Sequence, residues 1–206
     1  RRQHLGKDYF MEHVLDVKKL VNELTLEEKA SLCSGADFWH TKAIDRLNIP
    51  AAMVSDGPHG IRKQESLADH MGVAESIKAI GFPTASAMAC SFDRDLLHKV
   101  GDALGEECVA EDLAVLLGPG INMKRSPICG RNFEYYSEDP VVAGELGAAF
   151  VNGVQEHGVG TSLKHFAANN QEWRRMSISA EIDERTLREI YLAAFETVVK
   201  KAQPWT

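Results

Sequence analysis

The chain has 206 residues, 44% of them hydrophobic, with 23 Lys+Arg against 30 Asp+Glu and a formal net charge of -7. That length suits one domain with a sizeable core. The acidic balance argues against a surface that tracks phosphates, which needs clustered Lys and Arg, and no apolar run approaches a membrane span.

The N-terminus, Arg1-Arg2-Gln3-His4-Leu5-Gly6-Lys7-Asp8, has no initiator Met and no apolar stretch of the signal-peptide kind. Either residues precede it or a signal has been removed. Cys33, Cys90, Cys108 and Cys129 form no Cys-x-x-Cys pair and no disulfide-scaffold spacing. They read as reduced thiols, mostly buried, and lean toward a reducing, cytoplasmic location, with a secreted or periplasmic one left open if a signal was lost.

In chain order, Val14, Val17, Leu20, Val21 and Leu24 recur at helical spacing, and Thr25-Leu26-Glu27-Glu28 is a capping box that starts a second helix. After Pro50 short apolar runs alternate with polar, Gly-rich loops and amphipathic helices. Ala51–Val54 is a strand ending at Ser55-Asp56-Gly57-Pro58, and Thr84–Ala89 is read as a second. Asp93 caps a helix carrying Leu96, Leu97, Val100, Leu104 and Val109, and Leu113–Leu117 is a third strand, stopped by Gly118-Pro119-Gly120. Pro140 opens a helix through Val154 that ends near Gly158. Thr161–Phe166 is a fourth strand, Asp183 caps a helix from Glu184 to Lys201, and Pro204-Trp205-Thr206 approaches another strand.

Strands alternating with helices predict a parallel sheet with helical crossovers. A doubly wound open sheet would give the same alternation. The position of the unusual residues favours a (β/α)8 TIM-like barrel, because Asp56, the Arg131 loop and Lys164-His165 all follow strand ends, where barrel sites are assembled. About four strands against eight implies that only the N-terminal part of the barrel lies in residues 1–206.

Three segments carry candidate chemistry. In Ser55-Asp56-Gly57-Pro58-His59-Gly60-Ile61-Arg62 a carboxylate at a strand end is followed by glycines that admit a ligand, although Asp56 bonding its own backbone in a tight turn explains the same letters. In Ser126–Glu134, Arg131 offers forked donors in a long loop, or simply pairs at the surface with Glu134 or Glu138. Lys164-His165, ahead of Ala167-Ala168-Asn169-Asn170-Gln171-Glu172, would be costly to bury without partners. Trp173-Arg174-Arg175 is a poor nucleic-acid patch in so acidic a chain.

Together, and in order, these segments resemble glycoside hydrolase family 3 in its β-glucosidase branch. The resemblance is carried by Leu24–Lys29, Ser55–Pro58, Gly118-Pro119-Gly120-Ile121-Asn122, Gly130–Pro140, Lys164–Glu172, Glu184–Leu192 and Pro204-Trp205-Thr206. It implies hydrolysis of terminal non-reducing β-D-glucosyl residues from β-glucosides or short oligosaccharides, with retention. Asp56, Arg62, Arg131, Lys164, His165 and Arg175 would line the glucose subsite, where an acidic acceptor and basic donors can read a rim of hydroxyls. It implies no cofactor, no metal, no nucleic acid and no membrane; the partners are the glycoside and the remainder of the same polypeptide.

Read alone, the sequence invites Asp56 with Glu134 or Glu172 as the pair of bond-breaking carboxylates a retaining glycosidase needs about 5–5.5 Å apart. The resemblance argues otherwise. It places the nucleophile Asp in a Ser-Asp-Trp-like strand end past Thr206, a helper Tyr just past that residue, and the acid/base Glu in a later domain, so the segment alone is expected to be inactive; with two open sheet edges after about four strands it is also expected to fold poorly. A β-N-acetylhexosaminidase reading is disfavoured, because a Pro-Gly-His-Gly stretch would then follow Phe166. β-Xylosidase or arabinosidase activity stays open, as does a non-catalytic sugar-binding barrel or a phosphate-ligand barrel.

Overall fold

The computed structural model describes residues 16–64 and 75–206, so Val14 of the expected first helix lies outside the described residues. The chain divides into two compact units, Arg1–Ala51 and Ala52–Thr206. No helix among the described residues is long and apolar enough to cross a membrane.

In the first unit, α1 (Val17–Glu23) starts at Asp16, whose carboxylate accepts the Lys19 N–H at 3.0 Å. Helix α2 (Leu26–Leu32) opens with the expected capping box: Glu28 N–H donates to Thr25 Oγ1 at 3.2 Å and Thr25 N–H to Glu28 Oε2 at 2.8 Å. Two of the donors that a helix start leaves unpaired are thus satisfied reciprocally. Arg46, on a 3₁₀ turn, holds Glu28 Oε2 at 2.6 Å and the Glu23 carbonyl at 3.0 Å.

The second unit runs β1 (Val54–Asp56), α3 (Ala85–Ala89), α4 (Arg94–Ala110), β2 (Val115–Leu117), α5 (Pro140–Gln155) and β3 (Gly160–Thr161). It closes with α6 (Glu184–Thr186), which passes through a π-helical turn at Leu187–Tyr191 into α7 (Leu192–Ala202). The strands pair in parallel in the order β1-β2-β3, with Asp56 opposite Leu117 and Leu116 opposite Thr161. Parallel neighbours need crossovers, and helices α3 to α5 supply them. Asp93, Asp139 and Asp183 each accept backbone N–H groups at the first turn of α4, α5 and α6.

Two expectations need correction. Thr84–Ala89 is not a strand: Thr84 Oγ1 accepts the Ala87 N–H at 3.3 Å and the alanines and Met88 coil behind it as α3. A short apolar run carries no period to separate strand from helix, and alanine, the strongest helix former, decides it. The fourth expected strand pairs over Gly160–Thr161 only, and Lys164 rejoins the sheet through a single bridge to Gly120. Thr206 does approach as a further strand, accepting Leu163 N–H and donating to the Thr161 carbonyl, each at 3.1 Å.

The core lies between sheet and helices, where Leu97, Leu104, Leu116, Phe150, Val154 and Val198 are all 0% exposed. Helices α4 and α5 meet backbone to backbone. A Cβ on Gly153 would stand 2.2 Å from the His98 carbonyl oxygen, and one on Gly101 would stand 2.3 Å from that of Phe150.

Candidate active site at the strand ends

Asp56 is the last residue of β1. Gly57 behind it has φ +122°, and a Cβ there would meet the Gly60 carbonyl oxygen at 2.2 Å, so the chain can turn this sharply only at glycine. Lys164 arrives from beyond β3 and places Nζ 2.8 Å from Asp56 Oδ1 and 3.6 Å from Glu134 Oε2, its own side chain 14% exposed. Burial works to raise the Asp56 pKa, but the Lys164 ammonium, its hydrogen bond and the Gly57 N–H outweigh burial and hold it below the ordinary value. Asp56 therefore stays a charged acceptor.

The loop after β2 supplies the rest. On the 3₁₀ turn Asn132–Glu134, the Glu134 carboxylate is buried and contacts Arg131 Nε. Arg131 Nη2 lies 2.7 Å from His165 Nε2, and His165 Nδ1 lies 2.8 Å from the hydroxyl of Tyr135, which is 0% exposed. Asn122 Oδ1 accepts the His165 backbone N–H at 2.7 Å. Asn169 Nδ2 donates to Tyr135 Oη at 2.8 Å and to Glu172 Oε1 at 2.9 Å, and Arg175 Nη1 reaches Glu172 Oε2 at 3.2 Å. Burial, reinforced by Arg131 and Lys164, lowers the His165 pKa to about 4, so the imidazole is neutral. Burial, helped by Glu134 and outweighing the Asn169 hydrogen bond and Arg131, pushes Tyr135 up to about 12.

Two cavities open onto this network. One of about 390 Å³ is lined by Asp56, Arg62, Arg131, Phe133 and Glu134 among others. The larger, about 730 Å³, includes Arg131, His165, Asn169 and Arg175. Arg131 borders both. Of the expected site residues, Asp56, Arg131, Lys164 and His165 are brought into one linked cluster, Arg62 borders the smaller cavity, and Arg175 joins through Glu172 at the rim of the larger one.

Arg131 does pair with Glu134, but below the surface rather than on it. The sequence by itself gives no site role to Tyr135, Asn122 or Asn169, and offers Glu134 only as a bond-breaking carboxylate. For Glu134 and Tyr135 the signal is the sequence Arg131-Asn132-Phe133-Glu134-Tyr135 itself, where a cation and a carboxylate three residues apart stand beside an aromatic hydroxyl; no such local signal marks Asn122 or Asn169. The four cysteines are all free thiols, two exposed (Cys33, Cys90) and two buried (Cys108, Cys129).

Parallel strands with helical crossovers, and charged side chains gathered at the strands' C-terminal ends, define an enzyme-like α/β barrel segment. Residues 18–204 match the glycosyl hydrolase family 3 N-terminal domain, and the chain belongs to that family. It is 60% identical over 191 residues to thermostable β-glucosidase B of Acetivibrio thermocellus, covering 93% of this chain and 25% of that protein. It is 55% identical over 187 residues to an exo-α-(1→6)-L-arabinopyranosidase of Bifidobacterium longum, covering 90% of this chain and 25% of that one. Among solved structures, the β-glucosidase of Kluyveromyces marxianus in complex with glucose superposes with a TM-score of 0.86 at 45% identity, covering 92% of this chain and 22% of that one. The chain thus spans about 25% of the length of the curated relatives it matches.

Proposed function

We propose that this chain forms the front of a β-glucosidase-type glycoside hydrolase that releases terminal β-D-glucosyl residues with retention, and that it supplies most of the glucose-binding subsite. The observation that carries this reading is Asp56, kept ionised by Lys164 at 2.8 Å beside a cavity that Arg62 and Arg131 also line. A charged acceptor with cationic donors around one cavity suits the hydroxyl rim of a pyranose, and a site that pairs each hydroxyl rejects sugars lacking one. Asp56, Arg62, Arg131, Lys164, His165 and Arg175 bind; the bond-breaking carboxylates belong to the longer polypeptide. Asp56, Glu134 and Glu172 each already neutralise a neighbouring cation, which suits them to holding the site rather than to attack.

The test is Asp56→Asn in the longer enzyme. Losing one charge-assisted hydrogen bond, roughly 1.5–3 kcal/mol, should lower kcat/KM on an aryl β-D-glucoside at least about tenfold. Unchanged activity removes Asp56 from the sugar site. The arabinopyranosidase relative supports a second reading, an arabinosidase, and the ratio of kcat/KM on aryl β-D-glucoside and aryl α-L-arabinopyranoside decides between the two.

A further inference from the structure

Hydrogen positions around His165 follow from what each neighbour is able to donate. A guanidinium has donors only, so His165 Nε2, 2.7 Å from Arg131 Nη2, is the acceptor of that contact. A neutral imidazole carries one hydrogen, which therefore sits on Nδ1 and points at Tyr135 Oη, 2.8 Å away. Asn169 must present its NH₂ to the Glu172 carboxylate at 2.9 Å, so the same nitrogen also donates to Tyr135 Oη at 2.8 Å. Tyr135 Oη accepts from both sides. Tyr135 is 0% exposed, so its hydroxyl is held in this position by packing.

We propose that Tyr135 is a positioning residue that holds His165 as the Nδ1–H tautomer, so that His165 presents a lone pair rather than a hydrogen at Nε2. A sugar hydroxyl that takes the place of Arg131 there then donates to His165 instead of accepting from it. This second step rests on the glucosidase reading; the tautomer does not. The Asn122 side chain, accepting the His165 backbone N–H at 2.7 Å, fixes the backbone that carries the ring.

The experiment is ¹⁵N NMR of the longer enzyme with labelled histidine, His165 being assigned by its loss in His165→Gln. The free enzyme should show His165 protonated at Nδ1 and bare at Nε2, whether or not it turns over any glycoside. An Nε2–H signature overturns the proposal and leaves the glucosidase reading standing. Tyr135→Phe should fold, shift the His165 resonances toward a tautomer mixture, and lower kcat/KM on an aryl β-glucoside by at least about fivefold, because the Nδ1–H loses its acceptor. Unaltered resonances in Tyr135→Phe, or loss of cooperative folding, would make Tyr135 a packing residue and overturn its positioning role.

Discussion

The strand ends and the α4–α5 seam are two solutions to holding a chain together. At the seam, Gly101 and Gly153 let two backbones touch and Leu97, Leu104 and Phe150 pack fully buried around them, with ion pairs such as Arg94–Glu145 kept to the partly exposed edge. At the strand ends, Asp56, Lys164, Glu134, Arg131 and His165 are drawn out of water and satisfy one another. Apolar burial stabilises by the area removed from water. A buried ion pair gives little net stability, since desolvation offsets the attraction, yet breaking it leaves a stranded charge. The seam serves folding; the strand-end cluster is the arrangement expected where a ligand must be read.

Substitutions can break this contrast. The largest effect is expected from Phe150→Ala, about 3–5 kcal/mol through the lost transfer energy and the cavity left behind. Denaturant unfolding measures it, and kcat/KM per folded molecule should stay unchanged. Arg131→Met should cost about 1–3 kcal/mol, because the buried Glu134 carboxylate loses its nearest donor and retains only Lys164, 3.6 Å away. The sharper version adds Glu134→Gln: the double variant should regain most of the lost stability and none of the activity. Recovery of both would make the pair structural. Gly153→Ala should cost about 1–3 kcal/mol by forcing α4 and α5 apart, read as a fall in Tm.

A pH dependence centred on the strand ends is expected as well. The folded-state pKa of His165 lies at about 4, below its ordinary value of 6.5. Between those values the unfolded chain takes up a proton that the folded one refuses, so stability is complete above about 6.5 and falls as pH drops toward 4. His59, lowered chiefly by burial, adds to the same trend. Tm against pH in His165→Gln should slope less than in the parent; an equal slope would assign the dependence elsewhere.

Much of this is legible in the sequence alone. The capping Asp residues and Thr25 act through neighbours two or three positions along the chain, and local chemistry of that kind is written in local sequence. Asp56, Arg131 and Lys164-His165 stood out because charge at the end of an apolar strand needs a reason. Thr84–Ala89 misled because five small or apolar residues in a row carry no period, and alanine's helix preference became decisive only with Thr84 in place as a cap. Tyr135 and Asn169 could not be placed, because a hydroxyl finds its role from a histidine thirty residues away, and only the sheet register brings the two together. The β-glucosidase family was legible from the ordered motifs; which glycoside fits was not.

The glycines at the helix seam have a consequence for how this protein can vary. Side-chain packing drifts one methyl at a time, a loss at one position answered by a gain at the next. A contact between two backbones has no such graded steps, since the smallest possible addition to Gly153 already overlaps the His98 carbonyl. In a randomised library selected only for soluble protein, Gly101 and Gly153 should therefore return unchanged, while positions such as Arg185, whose side chain is 83% exposed, return in almost any form.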